Sequence, residues 1–158
     1  MKFNIFLLLL ATFLAVGSPQ EIQIHPGEYL IQNIHTNKYW AKPDLAFGIP
    51  LQTEGNVVWK IFAVGKNFYI RPLSHVQLSL ALLVNDKLLR LRETTPNPQN
   101  LQWIIHPSGS NVAIQSAADS KKYVNTDVYN KIDYLSQGSD AEPMWRLVHY
   151  APKRTKLL

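Results

Sequence analysis

Trp59-Lys60-Ile61, Trp103-Ile104-Ile105 and Trp145-Arg146-Leu147 repeat one short pattern, a tryptophan followed two residues later by an aliphatic side chain. The tryptophans stand 44 and 42 residues apart, a spacing that points to internal repeats. Upstream of each lies a second shared element: Tyr29-Leu30-Ile31, Phe68-Tyr69-Ile70 and Val112-Ala113-Ile114. Further short apolar runs fall between the two, at Tyr39-Trp40, 78–84 and Tyr123-Val124, then at Leu51, 88–91 and Tyr134-Leu135.

Turn-forming residues separate these runs at 33–37, Pro43-Asp44, Gly55-Asn56, Asn85-Asp86, 96–98, 108–111, Asp119-Ser120 and 138–140. Short runs rich in aromatic and β-branched residues, at this spacing, argue an all-β chain. Residues 78–84 form the one helix candidate. The Asn85-Asp86 pair and the alternating Lys87-Leu88-Leu89-Arg90-Leu91 make them the first strand of a hairpin instead. Three units of four strands predict twelve strands closed around a threefold axis. A propeller is the alternative, though propellers typically use four or more blades. Trp59, Trp103 and Trp145 then read as core, and Trp40, which breaks the pattern, as the tryptophan free for another task.

The whole chain has 158 residues, 46% hydrophobic and 17% charged, with a net charge of +5. That balance suits one globular domain rather than a disordered chain. It has no cysteine, so neither disulfides nor a thiolate metal cluster can hold it together. Lys2, the apolar run 5–16, and the small residues Ala15 and Gly17 match a secretory signal peptide over 1–17. The expected organisation is that leader, one β domain over 18–150 and a basic tail over 151–158. A secreted product with no membrane partner after leader removal, acting as a monomer, follows from this layout. No Asn-x-Ser/Thr sequon is present.

Catalytic patterns are missing from the sequence: there is no Gly-x-Ser-x-Gly, His-Glu-x-x-His or phosphate-binding glycine loop. His25, His35, His75, His106 and His149 are scattered, so no metal site is expected, nor any cofactor or enzymatic activity. The acid pairs Asp127/Asp133 and Asp140/Glu142 read as solvated turn residues. Lys153, Arg154 and Lys156 are too few for a nucleic-acid partner. The pI near 9.5 implies weak attraction to acidic polysaccharide or anionic lipid.

Gly27-Glu28-Tyr29-Leu30-Ile31, Asn85-Asp86-Lys87-Leu88, Trp103-Ile104-Ile105 and Pro143-Met144-Trp145-Arg146-Leu147 resemble motifs of the small cysteine-free β-trefoil serine protease inhibitors of fungi. The resemblance spans about Gly27 to Tyr150. It implies a β-trefoil fold and inhibition of a serine protease through a rigid surface loop. Ricin-B-like lectins share the superfamily, but their Gln-x-Trp signature is replaced here by Val57, Leu101 and Pro143 two residues before each tryptophan.

For inhibition, the leading loop is 41–50, with Lys42, Asp44, Leu45 and Phe47 as protease-binding residues. Pro43 and Pro50 stiffen it, and Leu45 or Phe47 would suit an apolar pocket. Pro43 after Lys42 speaks against Lys42 at the scissile bond. A plain connector that tucks Leu45 and Phe47 into the core is the other outcome. The stretch from Arg92 to Pro98 is the second loop candidate. For carbohydrate as the alternative partner, Asp119, Tyr129, Asn130 and Gln137 in the third unit, and Trp40 and Asp44 in the first, supply the polar and aromatic groups that sugars need.

Overall fold

Alternation decides which way each strand faces. In Gly27–Asn33, Tyr29, Ile31 and Asn33 are buried while Leu30 and Gln32 lie half-exposed between them. The computed structural model describes residues 23–83, 87–93, 99–127 and 134–151. Within them the chain forms β1 (Gly27–Asn33), β2 (Tyr39–Trp40), β3 (Leu51–Gln52), β4 (Trp59–Val64), β5 (Asn67–Pro72) and β6 (Leu78–Ala81). There follow β7 (Arg90–Glu93), a single 3-10 turn at Gln99–Leu101, β8 (Trp103–Ser108), β9 (Asn111–Ser116), β10 (Tyr123–Thr126), β11 (Leu135–Gly138) and β12 (Trp145–His149). The expected leader and residues 18–22, residues 84–86 with the expected Asn85-Asp86 turn, residues 94–98 and 128–133, and residues 152–158 of the expected basic tail lie outside the described residues.

Six strands close on themselves. β1 pairs with β4, β4 with β5, β5 with β8, β8 with β9, β9 with β12, and β12 with β1, all antiparallel. Closure leaves no free edge in the barrel, which suits a chain that has no crosslinks. The other six strands pair as hairpins β2–β3, β6–β7 and β10–β11. The run that begins at Leu78 is therefore a strand as expected, paired from Leu78↔Glu93 to Ala81↔Arg90.

Each tryptophan of the repeated pattern opens a barrel strand and is fully buried. On one side they pair with Pro72, Ser116 and Asn33, and on the other with Tyr29, Phe68 and Val112. Each indole N–H donates to a hairpin carbonyl: Trp59 to Trp40 (3.4 Å), Trp103 to Leu80 (3.0 Å) and Trp145 to Val124 (2.8 Å). For these three the hairpins supply the partner that a buried indole N–H usually finds.

Trp40 thus occupies the position that Leu80 and Val124 hold elsewhere. It is fully buried and packs edge-on against Trp59 (5.2 Å between centroids) and Trp145 (5.4 Å). The expectation of another task for Trp40 is corrected: its ring fills the core.

The hairpins are stitched together at a second recurrent position, Ile49, Leu89 and Leu135, all fully buried. Leu135 N–H donates to the Ile49 carbonyl (2.8 Å), and Leu89 N–H to the Leu135 carbonyl (3.1 Å). Gly48 precedes the first of them with φ +109, and a Cβ there would stand 2.9 Å from the Leu89 carbonyl oxygen. A side chain at residue 48 is excluded on both counts.

Candidate functional site

Residues 41–50 link β2 to β3, and their first and last members are tied by Ala41 N–H to the Pro50 carbonyl (2.8 Å). Inside that span Asp44 and Gly48 exchange both backbone hydrogen bonds, each 2.7 Å. The Asp44 Oδ1 accepts the N–H groups of Ala46 (2.8 Å) and Phe47 (3.1 Å). The Arg90 guanidinium on β7 donates to the Ala46 carbonyl. An Asx turn of this kind gives the backbone local partners that water would otherwise supply.

On this braced turn Leu45 is 61% exposed and Phe47 62%. The structure therefore brings Lys42, Asp44, Leu45 and Phe47 onto one surface loop, with both large apolar side chains outward. Its shape differs from the extended stretch an inhibitor would offer. The N–H groups of Ala46 and Phe47 turn inward onto Asp44, so Asp44 acts as the loop's scaffold. In the second candidate loop Arg92 and Glu93 are exposed at the end of β7, and the rest lies outside the described residues.

A polar counterpart sits on the third hairpin. The residues following Trp40, Leu80 and Val124 are Ala41, Ala81 and Asn125, all buried. Where two hairpins carry a methyl group, the third carries Asn125, a residue 8% exposed whose buried Oδ1 has no hydrogen-bond partner among the described residues. Space for it comes from Gly138 across the hairpin: a Cβ at residue 138 would stand 1.9 Å from the Asn125 Nδ2.

Tyr123 lies opposite Gly138, and Ser136 opposite Asn125. Residues two apart share a strand face, so Tyr123, Asn125, Ser136 and Gly138 look the same way. Tyr123 in turn pairs with Gln115 on β9, whose Nε2 donates to the Tyr123 hydroxyl (3.0 Å) and to the Ser120 carbonyl (2.6 Å). His106 Nε2 meets Gln115 Oε1 at 2.7 Å. A row of polar groups therefore crosses β8 to β11.

The sugar-binding sets expected from sequence are not gathered in this way. Asp119 receives the Lys121 N–H (3.0 Å) within its own turn, and Gln137 donates its amide to the Leu83 carbonyl (2.9 Å). Trp40 is buried, Asp44 caps its loop, and Tyr129 and Asn130 lie outside the described residues. Asn125 escaped notice because its signal is comparative. It shows only when Val124-Asn125 is laid against Trp40-Ala41 and Leu80-Ala81.

Among the described residues no group of three or more His, Asp or Glu side chains is placed to hold a metal ion. Asp140 and Glu142 are exposed. Burial pushes the Tyr29 phenol above its ordinary 10.0, and its hydroxyl donates to the His25 carbonyl (2.7 Å) as a barrel tether.

No protein-family model and no curated protein matches this sequence. Solved structures do resemble it. A GlcNAcα1-4Gal releasing endo-β-galactosidase from Clostridium perfringens is similar with a TM-score of 0.68 and 14% identity, over 78% of this chain and 32% of the enzyme. The chain thus spans about a third of that protein's length. A salivary protein of the cysteine and tryptophan-rich family from Culex quinquefasciatus is similar with a TM-score of 0.66 and 22% identity, over 81% of this chain and 96% of that one. SeviL bound to asialo-GM1 saccharide is similar with a TM-score of 0.60 and 12% identity, over 80% of this chain and 100% of SeviL. At these identities the likeness is one of fold.

Proposed function

We propose that this chain is a secreted β-trefoil that binds carbohydrate and has no catalysis of its own. The trefoil reading is supported by the threefold recurrence of the tryptophan bonds, by the six-stranded barrel and by the three hairpins. The observation that carries the binding reading is the Asn125 Oδ1, without a hydrogen-bond partner among the described residues, in a carboxamide whose Nδ2 faces Gly138. A buried carbonyl oxygen without a donor costs about 1–3 kcal/mol, and a sugar hydroxyl is the donor such an acceptor lacks. Tyr123 on the same strand face offers a ring for the apolar side of a pyranose. The saccharide in the SeviL structure and the galactoside acted on by the Clostridium enzyme add support for this ligand class.

The test is a glycan array with the wild type and Asn125→Ala. Binding of a defined glycan set that is lost in the variant, with an unfolding midpoint no lower than that of the wild type, supports the reading. Binding that survives in Asn125→Ala removes this site from it.

Inhibition of a serine protease is the second reading, favoured by the exposure of Leu45 and Phe47 on a braced loop. It would use Lys42, Asp44, Leu45 and Phe47 against an enzyme with an apolar pocket. Slowed hydrolysis in a panel of trypsin, chymotrypsin and subtilisin would support it, and unchanged rates would end it.

A further inference from the structure

Four large apolar side chains are exposed among the described residues: Leu45, Phe47, Leu73 and Val76. All four sit on loops whose backbone an arginine holds. Arg90 donates to the Ala46 carbonyl between Leu45 and Phe47, and Arg71 donates to the Val76 carbonyl (2.6 Å). The first loop is braced more heavily, by the Asp44–Gly48 exchange and the Asp44 carboxylate as well. Unbraced, a leucine and a phenylalanine this close would fold onto the surface and shed water. Here the backbone is held, and both point outward.

Cations lie near them among the described residues. Lys42 is exposed at the loop's entry, and Arg90 lies at its back. Lys87 is exposed beside Leu88, whose Cβ lies 3.8 Å from where a Cβ on Gly48 would be. Within the loop, the Asp44 Oδ1 is engaged by two backbone N–H groups. The chain as a whole carries +5.

We propose that this loop is a finger for docking on an anionic membrane surface. Leu45 and Phe47 enter the boundary between headgroups and acyl chains, while Lys42 and Lys87 meet lipid phosphates and carboxylates. Short apolar insertions joined to cations give reversible, salt-sensitive attachment to anionic bilayers. The contact is peripheral, and it departs from the expectation that no membrane partner follows leader removal. A protease cleft is the competing occupant. It fits less well, because an inhibitor loop pairs its backbone with the enzyme, and here the Ala46 and Phe47 N–H groups face Asp44. The finger belongs to the first hairpin and does not depend on the Asn125 position of the third.

The test is co-sedimentation of the full chain, secreted from its own leader and recovered from the medium, with two kinds of vesicle. One is phosphatidylcholine alone, and the other is phosphatidylcholine mixed with phosphatidylserine. The wild type is expected to pellet with the mixed vesicles, about tenfold less with the neutral ones, and less as salt rises. Leu45→Ser combined with Phe47→Ser is expected to weaken binding at least about tenfold without moving the urea midpoint. Lys42→Glu combined with Lys87→Glu should weaken it on mixed vesicles only, and Asn125→Ala should bind as the wild type does. Equal pelleting of the wild type and the Leu45/Phe47 variant, or no pelleting of either, overturns the proposal. So does inhibition of chymotrypsin or subtilisin by the wild type but not by that variant, with no vesicle binding.

Discussion

The first and third hairpins hold the same place in the fold and present opposite chemistry. In the first, Ala41 fills the buried position after Trp40, and the loop beyond it pushes Leu45 and Phe47 into solvent. In the third, Asn125 fills that position, and Gly138 leaves it room. The backbone bonds beneath them correspond: an indole donor on one side and the Ile49–Leu89–Leu135 stitching on the other. The scaffold therefore places the hairpins alike, and a few side chains decide what chemistry each presents.

Removing the shared support should strike both hairpins together. Trp145 is fully buried, touches Trp40 and bonds Val124, so it joins the first hairpin to the third. Trp145→Ala is expected to cost about 3–5 kcal/mol, read as a lower urea midpoint. Loss of function confined to one hairpin, with stability intact, would break the equivalence.

The two glycines should separate the hairpins next. Gly48→Ala meets a backbone oxygen in a left-handed conformation, and a loss of about 2 kcal/mol is expected whatever stands at other positions. For Gly138→Ala the three atoms nearest the new Cβ all belong to the Asn125 side chain. Its cost, about 1–2 kcal/mol, should vanish in an Asn125→Ala background, and a double-mutant cycle in urea measures that coupling. Additive costs would mean that the glycine serves something other than the carboxamide.

Smaller still, Asn125→Ala makes the third hairpin like the other two. Stability should rise by about 1 kcal/mol, since an unpartnered buried acceptor is removed, while glycan binding falls at least about tenfold. A stability loss would show that the carboxamide is satisfied within the fold. Asp44→Ala is expected to cost about 1 kcal/mol and to speed amide exchange at Ala46 and Phe47, whose N–H groups lose their acceptor. Unchanged exchange there would detach the loop's shape from Asp44.

Much of this architecture was legible in advance where periodicity carried it. The tryptophan spacing located three barrel strands, and the Leu78 run was recognised as half of a hairpin from the turn residues after it. In loop 41–50 the prolines point to a stiff binding loop but leave open whether Leu45 and Phe47 face solvent or the core; in the fold both face solvent. Its closed shape was not legible, since a single carboxylate capturing two amides leaves no periodic trace. Trp40 was misjudged for a related reason. As a residue type it breaks the repeat, but its position matches Leu80 and Val124, and position shows only when strands are paired.

Composition and local alternation alone establish that this cysteine-free chain must bury its aromatic stripes in β-structure, because strand periodicity is local and needs no knowledge of partners. Which side chains meet was settled in three dimensions. Asn125 above Gly138, and Arg90 behind Ala46, join residues far apart in sequence, and only closure of the barrel and the stitching of its hairpins bring them within reach.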